Sequence, residues 1–289
     1  MSTTVVILLA VSGVLVAASS DWLFGGNRLD IQVGGEAADA MASVDSSVSS
    51  TTASTTAAPS SSMTQTTTTK PITTTTKAKP VSFVASKDTL LTETPRAGSD
   101  YLNSVVFIGD SRVVGMKNHK AISSANAFAY NGLSHAGAMT KQFLTVNGKS
   151  SLTIPQAVKV RQPKRMIVAF GINGIAWMGE DSFIEGYENL IDTLHRNSPA
   201  SEIIIQSILP VSAAQEAEDS RMMNTKIDRY NERLFQLAEE KNFYFLNTAE
   251  ALKNSEGKLA RQYDSGDGLH FNKDASYAIV DYVLTHTTL

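Results

Sequence analysis

The chain has 289 residues, no cysteine, 42% hydrophobic residues, a formal charge of −3 and an isoelectric point near 6.0. The missing thiol excludes disulfides, thiolate nucleophiles and Cys-ligated zinc, and the balanced charge offers nucleic acid no electrostatic footprint. One basic cluster, Lys159, Arg161, Lys164 and Arg165, reads as a solvated helix end and loop.

Residues 1–24 carry an apolar run from Val5 to Ala18, and Val16-Ala17-Ala18 is patterned like a small-residue cleavage site. No Lys or Arg precedes the run, and hydrophobicity resumes at Trp22, Leu23 and Phe24. The stretch from Thr4 to Phe24 meets the ~20 residues that a bilayer span requires. A cleaved signal peptide and a retained membrane anchor are both open, and either places the rest of the chain outside the cytoplasm, secreted or held at the cell surface. Residues 25–80 are dominated from Ala42 onward by Ser and Thr, including Thr66 to Thr69 and Thr73 to Thr76. Such a tract cannot bury enough apolar surface to offset its ordering entropy, which predicts a disordered linker.

Residues 81–289 alternate apolar runs with helical periodicity. Val105 to Ile108 is an unbroken apolar run, the pattern of a strand buried on both faces, and Gly109-Asp110-Ser111 follows at its carboxyl end. A helix is expected over 112–120, and Ala127 to Tyr130 is a second strand closed by Asn131-Gly132. Pro155 suits the first turn of a helix reaching Arg161. Met166 to Phe170 is a third strand, with Gly171-Ile172-Asn173-Gly174 as the loop beyond it. Ser182 and Glu185 form a capping-box pattern ahead of Tyr187, Leu190, Ile191 and Leu194. Ile203 to Leu209 is a fourth strand. Met223, Ile227, Tyr230, Leu234 and Leu237 mark an amphipathic helix, Phe243 to Leu246 a fifth strand, and Asn272 the cap of a last helix with Ile279, Tyr282 and Val283 facing inward. Five strands separated by helices predict a three-layer α/β/α domain with a five-stranded parallel sheet. Right-handed crossovers then gather Ser111, Asn131-Gly132 and Asn173 on one edge.

A serine hydroxyl needs a base to take its proton, and histidine suits that task near neutrality. Of the five histidines, His195 and His286 read as surface residues, His119 as a helix end and His135 as a loop or first turn. His270 stands in Asp267-Gly268-Leu269-His270, where the carboxylate can reach the imidazole Nδ1. Backbone N–H groups of Ser111 and Gly132 and the amide of Asn173 are candidate oxyanion donors, with Gly137 a rival to Gly132. Asp264, Asp267 and Asp274 lack the spacing of a calcium loop.

These four blocks, Gly109-Asp110-Ser111, Asn131-Gly132, Gly171-Ile172-Asn173 and Asp267-Gly268-Leu269-His270, resemble in order and spacing those of the SGNH (GDSL) hydrolase family. The resemblance implies a flavodoxin-like fold and a serine esterase or acylhydrolase with no metal and no cofactor. It implies Ser111 as nucleophile, His270 as base, Asp267 as its orienting acid, and Ser111, Gly132 and Asn173 as the oxyanion hole. Arg112 stands where the family commonly has Leu, which makes it a candidate substrate contact or the partner of a nearby carboxylate. Gly174 stands where the third block often has Asp. No Gly-x-Ser-x-Gly elbow is present, which argues against an α/β-hydrolase fold. The expected function is extracytoplasmic hydrolysis of a short acyl ester, such as acetyl on a carbohydrate. The alternatives are acyl transfer to a glycan by the same triad and a non-catalytic glycan-binding surface module.

Overall fold

The computed structural model describes residues 89–288 and, within residues 1–72, the backbone of one antiparallel ribbon, Val6–Val11 paired with Val14–Ser19. Apart from that backbone, the segments read as export signal and linker lie outside the described residues, as do 81–88.

Five strands form the main sheet: β1 (Val105–Gly109), β2 (Ala127–Ala129), β3 (Arg165–Ala169), β4 (Glu202–Gln206) and β5 (Tyr244–Leu246). Their order is β2-β1-β3-β4-β5, and every pair is parallel. The chain leaves β1 in one direction to reach β2 and then returns past β1 to β3. Such a reversal opens a crevice at the carboxyl ends of β1 and β3, where open α/β sheets bind ligands. Gly109 pairs with Ala129 on one side and Ala169 on the other, so the loops after β1, β2 and β3 leave the sheet at one level.

Side chains alternate across each strand and split the interior into two cores. On one face Val106, Ile108, Met166, Val168 and Ile205 pack against α2 (Ile154–Arg161), α3 (Glu180–Asn197) and α4 (Asn224–Lys241). On the other, Val105, Phe107, Ile167 and Ile204 meet α1 (Ser111–Asn118) and α5 (Lys273–Thr285). Ile279 and Val283 are buried as expected, while Tyr282 is half-buried. The N-terminal segment closes the β5 edge, since Phe245 N–H donates to Thr89 and Leu91 N–H to Phe245, at 2.7 and 2.9 Å. It then meets the end of α5, with Thr94 N–H 2.6 Å from the Thr285 carbonyl and the Thr94 and Thr287 hydroxyls 3.1 Å apart.

Local chemistry sets the helix ends. Asp110 caps α1 by accepting the Arg112 N–H at 2.9 Å, Thr153 and Gln156 form a capping box on α2, and Asn272 accepts the Ala275 N–H at 3.0 Å to start α5. The expected box at Ser182 and Glu185 does not form. Helix α3 starts earlier, at Glu180, because Arg229 and Arg233 of α4 pair with the Glu180 carboxylate and its charge suits a helix N-terminus. The fourth strand ends at Gln206 rather than Leu209, because a side chain replaces the ladder: Asn231 accepts the Ile208 N–H at 2.6 Å and donates to the Ile208 carbonyl at 2.9 Å. Asn224 treats Val211 the same way at 3.0 and 2.9 Å.

Arg165 departs from the solvated reading of its cluster. It is 3% exposed, paired with Glu202 at 2.8 Å and stacked over Tyr101, because the parallel register sets it directly beside Glu202 on β4. Lys159, Arg161 and Lys164 are exposed. Elements not expected are the ribbon Leu144–Val146 with Lys149–Leu152 and the short helices Ile172–Ile175, Ala213–Glu218 and Ala249–Leu252. Among the described residues no helix is long and apolar enough to cross a membrane.

Candidate active site

Ser111 opens α1 directly after β1, so a buried strand and a capped helix fix its backbone. Its Oγ lies 3.0 Å from His270 Nε2, and His270 Nδ1 lies 2.7 Å from Asp267 Oδ2. A carboxylate only accepts, so Nδ1 carries the proton and Nε2 is left to accept from the serine hydroxyl. The three side chains, 159 positions apart at the extremes that touch, therefore form one relay.

The loop before α5 is built to hold the imidazole. Asp264 Oδ1 accepts the N–H groups of Gly266 and Gly268 at 2.8 and 2.9 Å, and Ser265 N–H returns to the His270 carbonyl at 3.1 Å. Gly268 has φ +72 and lies so close to Ser212 that a Cβ would strike that hydroxyl, which makes glycine a requirement there. Asp267 Oδ1 accepts the N–H groups of Leu269 and His270 at 2.9 and 2.7 Å. Burial pushes this carboxyl up, but the His270 N–H and imidazole and the Leu269 N–H outweigh it and hold the pKa down at about 2.

Asp110 and Asn173 make the next layer. Asp110 is 1% exposed; burial raises its pKa, opposed mainly by the charge and N–H of Arg112. Its Oδ2 accepts from Asn173 Nδ2 at 3.3 Å, and the same amide donates to the Leu133 carbonyl at 3.2 Å. Both amide hydrogens of Asn173 are thus directed, which fixes the orientation of this side chain beside the nucleophile. Gly132 is exposed, has φ +70, and its N–H makes no hydrogen bond among the described residues. The N–H of its rival Gly137 is taken by Ser134 Oγ at 3.1 Å.

Arg112 corrects the sequence-based expectation. Its side chain is buried, 8% exposed, and hydrogen-bonds to no carboxylate: it donates to the carbonyls of Leu209 at 2.8 Å, Pro210 at 3.4 Å and Leu269 at 3.2 and 3.1 Å. The guanidinium also stacks over Phe271 at 4.6 Å. Burial lowers its pKa to about 10, leaving it a cation at neutral pH. It acts as a clamp between the nucleophile's helix and the histidine loop.

The remaining histidines lie elsewhere. His119 Nδ1 is 2.8 Å from Ser276 Oγ, His195 is exposed, and His286 stacks on Tyr282. His135 is fully buried against Phe183 and Tyr187 with neither ring nitrogen hydrogen-bonded. Among the described residues no cluster of His, Asp and Glu is arranged to hold a metal ion.

A parallel β2-β1-β3-β4-β5 sheet with Ser, His and Asp at its carboxyl edge defines a class of α/β hydrolytic folds without a Gly-x-Ser-x-Gly elbow. The model of the GDSL-like Lipase/Acylhydrolase family matches residues 107–277, and the chain belongs to that family. Among solved structures, the chain resembles a Streptococcus pneumonia protein named for platelet activating factor, at 21% identity and TM-score 0.50, over 64% of this chain and 87% of that one. It also resembles a GDSL-like lipase from Bacteroides thetaiotaomicron, at 19% identity and TM-score 0.46, over 61% of this chain and 83% of that one. A carbohydrate esterase family 3 protein from Talaromyces cellulolyticus matches at 14% identity and TM-score 0.44, over 62% and 92%. No curated protein matches the chain.

Proposed function

We propose that this protein is an extracytoplasmic serine esterase that hydrolyses short acyl esters, acetyl first among them, on a carbohydrate. The observation that carries the reading is the contact chain Ser111 Oγ, His270 Nε2, His270 Nδ1 and Asp267 Oδ2, at 3.0 and 2.7 Å. In this reading Ser111 Oγ attacks the acyl carbonyl while His270 Nε2 takes its proton. Asp267 stabilises the imidazolium. The negative charge on the carbonyl oxygen is met by the N–H groups of Ser111 and Gly132 and by the Asn173 amide, whose 3.2 and 3.3 Å contacts are long enough to give way to a substrate oxygen. Collapse breaks the ester C–O bond, and His270 returns the proton to the leaving alcohol. Water then attacks the acyl-enzyme, its proton passing to His270 and on to Ser111 as the carboxylic acid departs.

Exposure of the relay supports hydrolysis over transfer to a sugar, since the side chains of His270 and Asp267 are 43% and 52% exposed and water reaches the acyl-enzyme freely. Residues 1–24 serve export in this reading, as cleaved signal or retained anchor, residues 25–80 are the linker, and residues 81–289 are the catalytic domain.

The test is turnover of p-nitrophenyl acetate by the full chain and by Ser111→Ala. A loss of at least about 10³-fold is expected. Equal rates would end the esterase reading and leave a binding module; acylated sugar as the main product with a glycan acceptor present would make it a transferase.

A further inference from the structure

We propose that Trp177, braced by Arg221, is a platform on which a sugar ring of the substrate stacks beside the nucleophile. The proposal rests on the esterase reading above and names the part of the substrate that lies beyond the ester. Among the described residues three large hydrophobic side chains are exposed: Trp177 at 74%, Tyr277 at 46% and Tyr130 at 42%. Two of the three belong to the loops that follow β3 and β2, the strands on either side of β1 and Ser111.

Trp177 is held. Trp177 N–H donates to the Gly174 carbonyl at 3.1 Å and Ala176 has helical angles, so the turn begun at Ile172 continues and sets Trp177 four positions past Asn173, on the same face. Helix α4 pins this turn from below, with Lys226 Nζ 2.5 Å from the Ile175 carbonyl and Tyr230 OH donating to Met178 at 2.9 Å. The Arg221 guanidinium lies over the indole at 4.0 Å, and Asp219 grips that guanidinium by two bonds of 2.8 Å. One face of the ring is therefore occupied by a neutralised cation while the side chain as a whole stays mostly in water. An exposed indole with fixed orientation loses little entropy on binding, which is what a stacking surface needs. Tyr130 repeats the design on the other side, with Lys141 Nζ 4.2 Å above its ring and Phe143 at 5.3 Å.

The chemistry selects the ligand. A lipid chain calls for a continuous apolar groove, whereas these are separate rings, each rimmed by charge. A pyranose offers an apolar C–H face to a π surface and hydroxyls to a polar rim, and it matches both.

The chain holds two tryptophans, so in a Trp22→Phe background Trp177 is the sole reporter of indole emission. Titrating the full-length Ser111→Ala form of that protein with xylotetraose, cellotetraose and chitotetraose should give a saturable change with at least one of them. In the active enzyme, Trp177→Ala should lower the ratio of kcat/KM for acetylated xylotetraose to that for p-nitrophenyl acetate about five- to tenfold, and Trp177→Phe should restore most of it. No emission change with any of the three sugars, together with an unaltered ratio, overturns the platform. So does an emission that varies with protein concentration and a dimer in sedimentation, which would make Trp177 a contact between copies. Saturable sugar binding by a protein that turns over no ester would instead remove the esterase reading and leave the platform standing.

Discussion

The guanidinium of Arg112 donates two hydrogen bonds, 3.2 and 3.1 Å long, to the carbonyl of Leu269, the residue just ahead of His270. One side chain thus ties the helix that presents the nucleophile to the loop that presents the base, and its bonds to Leu209 and Pro210 tie both to the segment after β4. Arg112→Lys keeps the charge but cannot fork to three carbonyls. We expect a loss of about 2 kcal/mol in denaturant unfolding and a fall of about tenfold or more in kcat with KM little changed. A stability loss with intact kcat would reduce Arg112 to a purely structural role.

Asp110→Ala removes the cap of α1 and the acceptor that orients Asn173. The cap costs about 1 kcal/mol. The larger effect should be kinetic, because the Asn173 amide then has only Leu133 to hold it; kcat is expected to fall about tenfold to a hundredfold. Steady-state kinetics on p-nitrophenyl acetate beside a thermal melt separates the two effects.

The carboxyl of Asp267 is depressed to about 2, so its ionised form is favoured by folding. With an unfolded value near 3.9, its contribution to stability is present above about pH 4 and lost as the pH falls from there toward 2. Asp267→Asn should flatten that part of the acid unfolding curve. It should also cut kcat by about 10³- to 10⁴-fold at neutral pH, since an amide can turn its N–H toward Nδ1 and favour the wrong tautomer.

His135 shifts in the same direction for a different reason, burial of the ring rather than bonds to its charged form. Burial between Phe183 and Tyr187 lowers its pKa to about 4, against about 6.5 in the unfolded chain, so the unfolded state binds more protons between these values. Stability is full above about pH 6.5 and declines as the pH falls toward 4, by up to about 3 kcal/mol. His135→Leu, with no ring nitrogen to protonate, should remove this slope; urea unfolding at pH 7 and pH 4.5 measures it.

The apolar run at Val105 to Ile108 announces a strand buried on both faces because every side chain in it is apolar, and Asp267 and His270 announce each other because three residues in a turn bring a carboxylate to Nδ1. The family's blocks supply Ser111, Gly132 and Asn173 by position. Arg112 was illegible for a physical reason: its partners are backbone carbonyls 97 and 157 residues away, and carbonyls leave no mark in a sequence. Asn224 and Asn231 are hidden likewise, as polar residues in α4 that face inward to satisfy the backbone of Val211 and Ile208. The ribbon around Asn147-Gly148 was within reach, since φ of +50 and +76 there is what such a pair permits. Its strands are three and four residues long, too short for an alternation to stand out.

Thr94 and Thr285 meet, so the first and last turns of the described domain lie side by side. A few residues of linker across that seam would close the polypeptide into a ring, and a new start could then be cut in the exposed hairpin tip at Asn147-Gly148 without severing any strand of the parallel sheet. The domain is in this sense indifferent to where its chain begins, and a circular permutant opened at that tip should still bring the serine and the imidazole together.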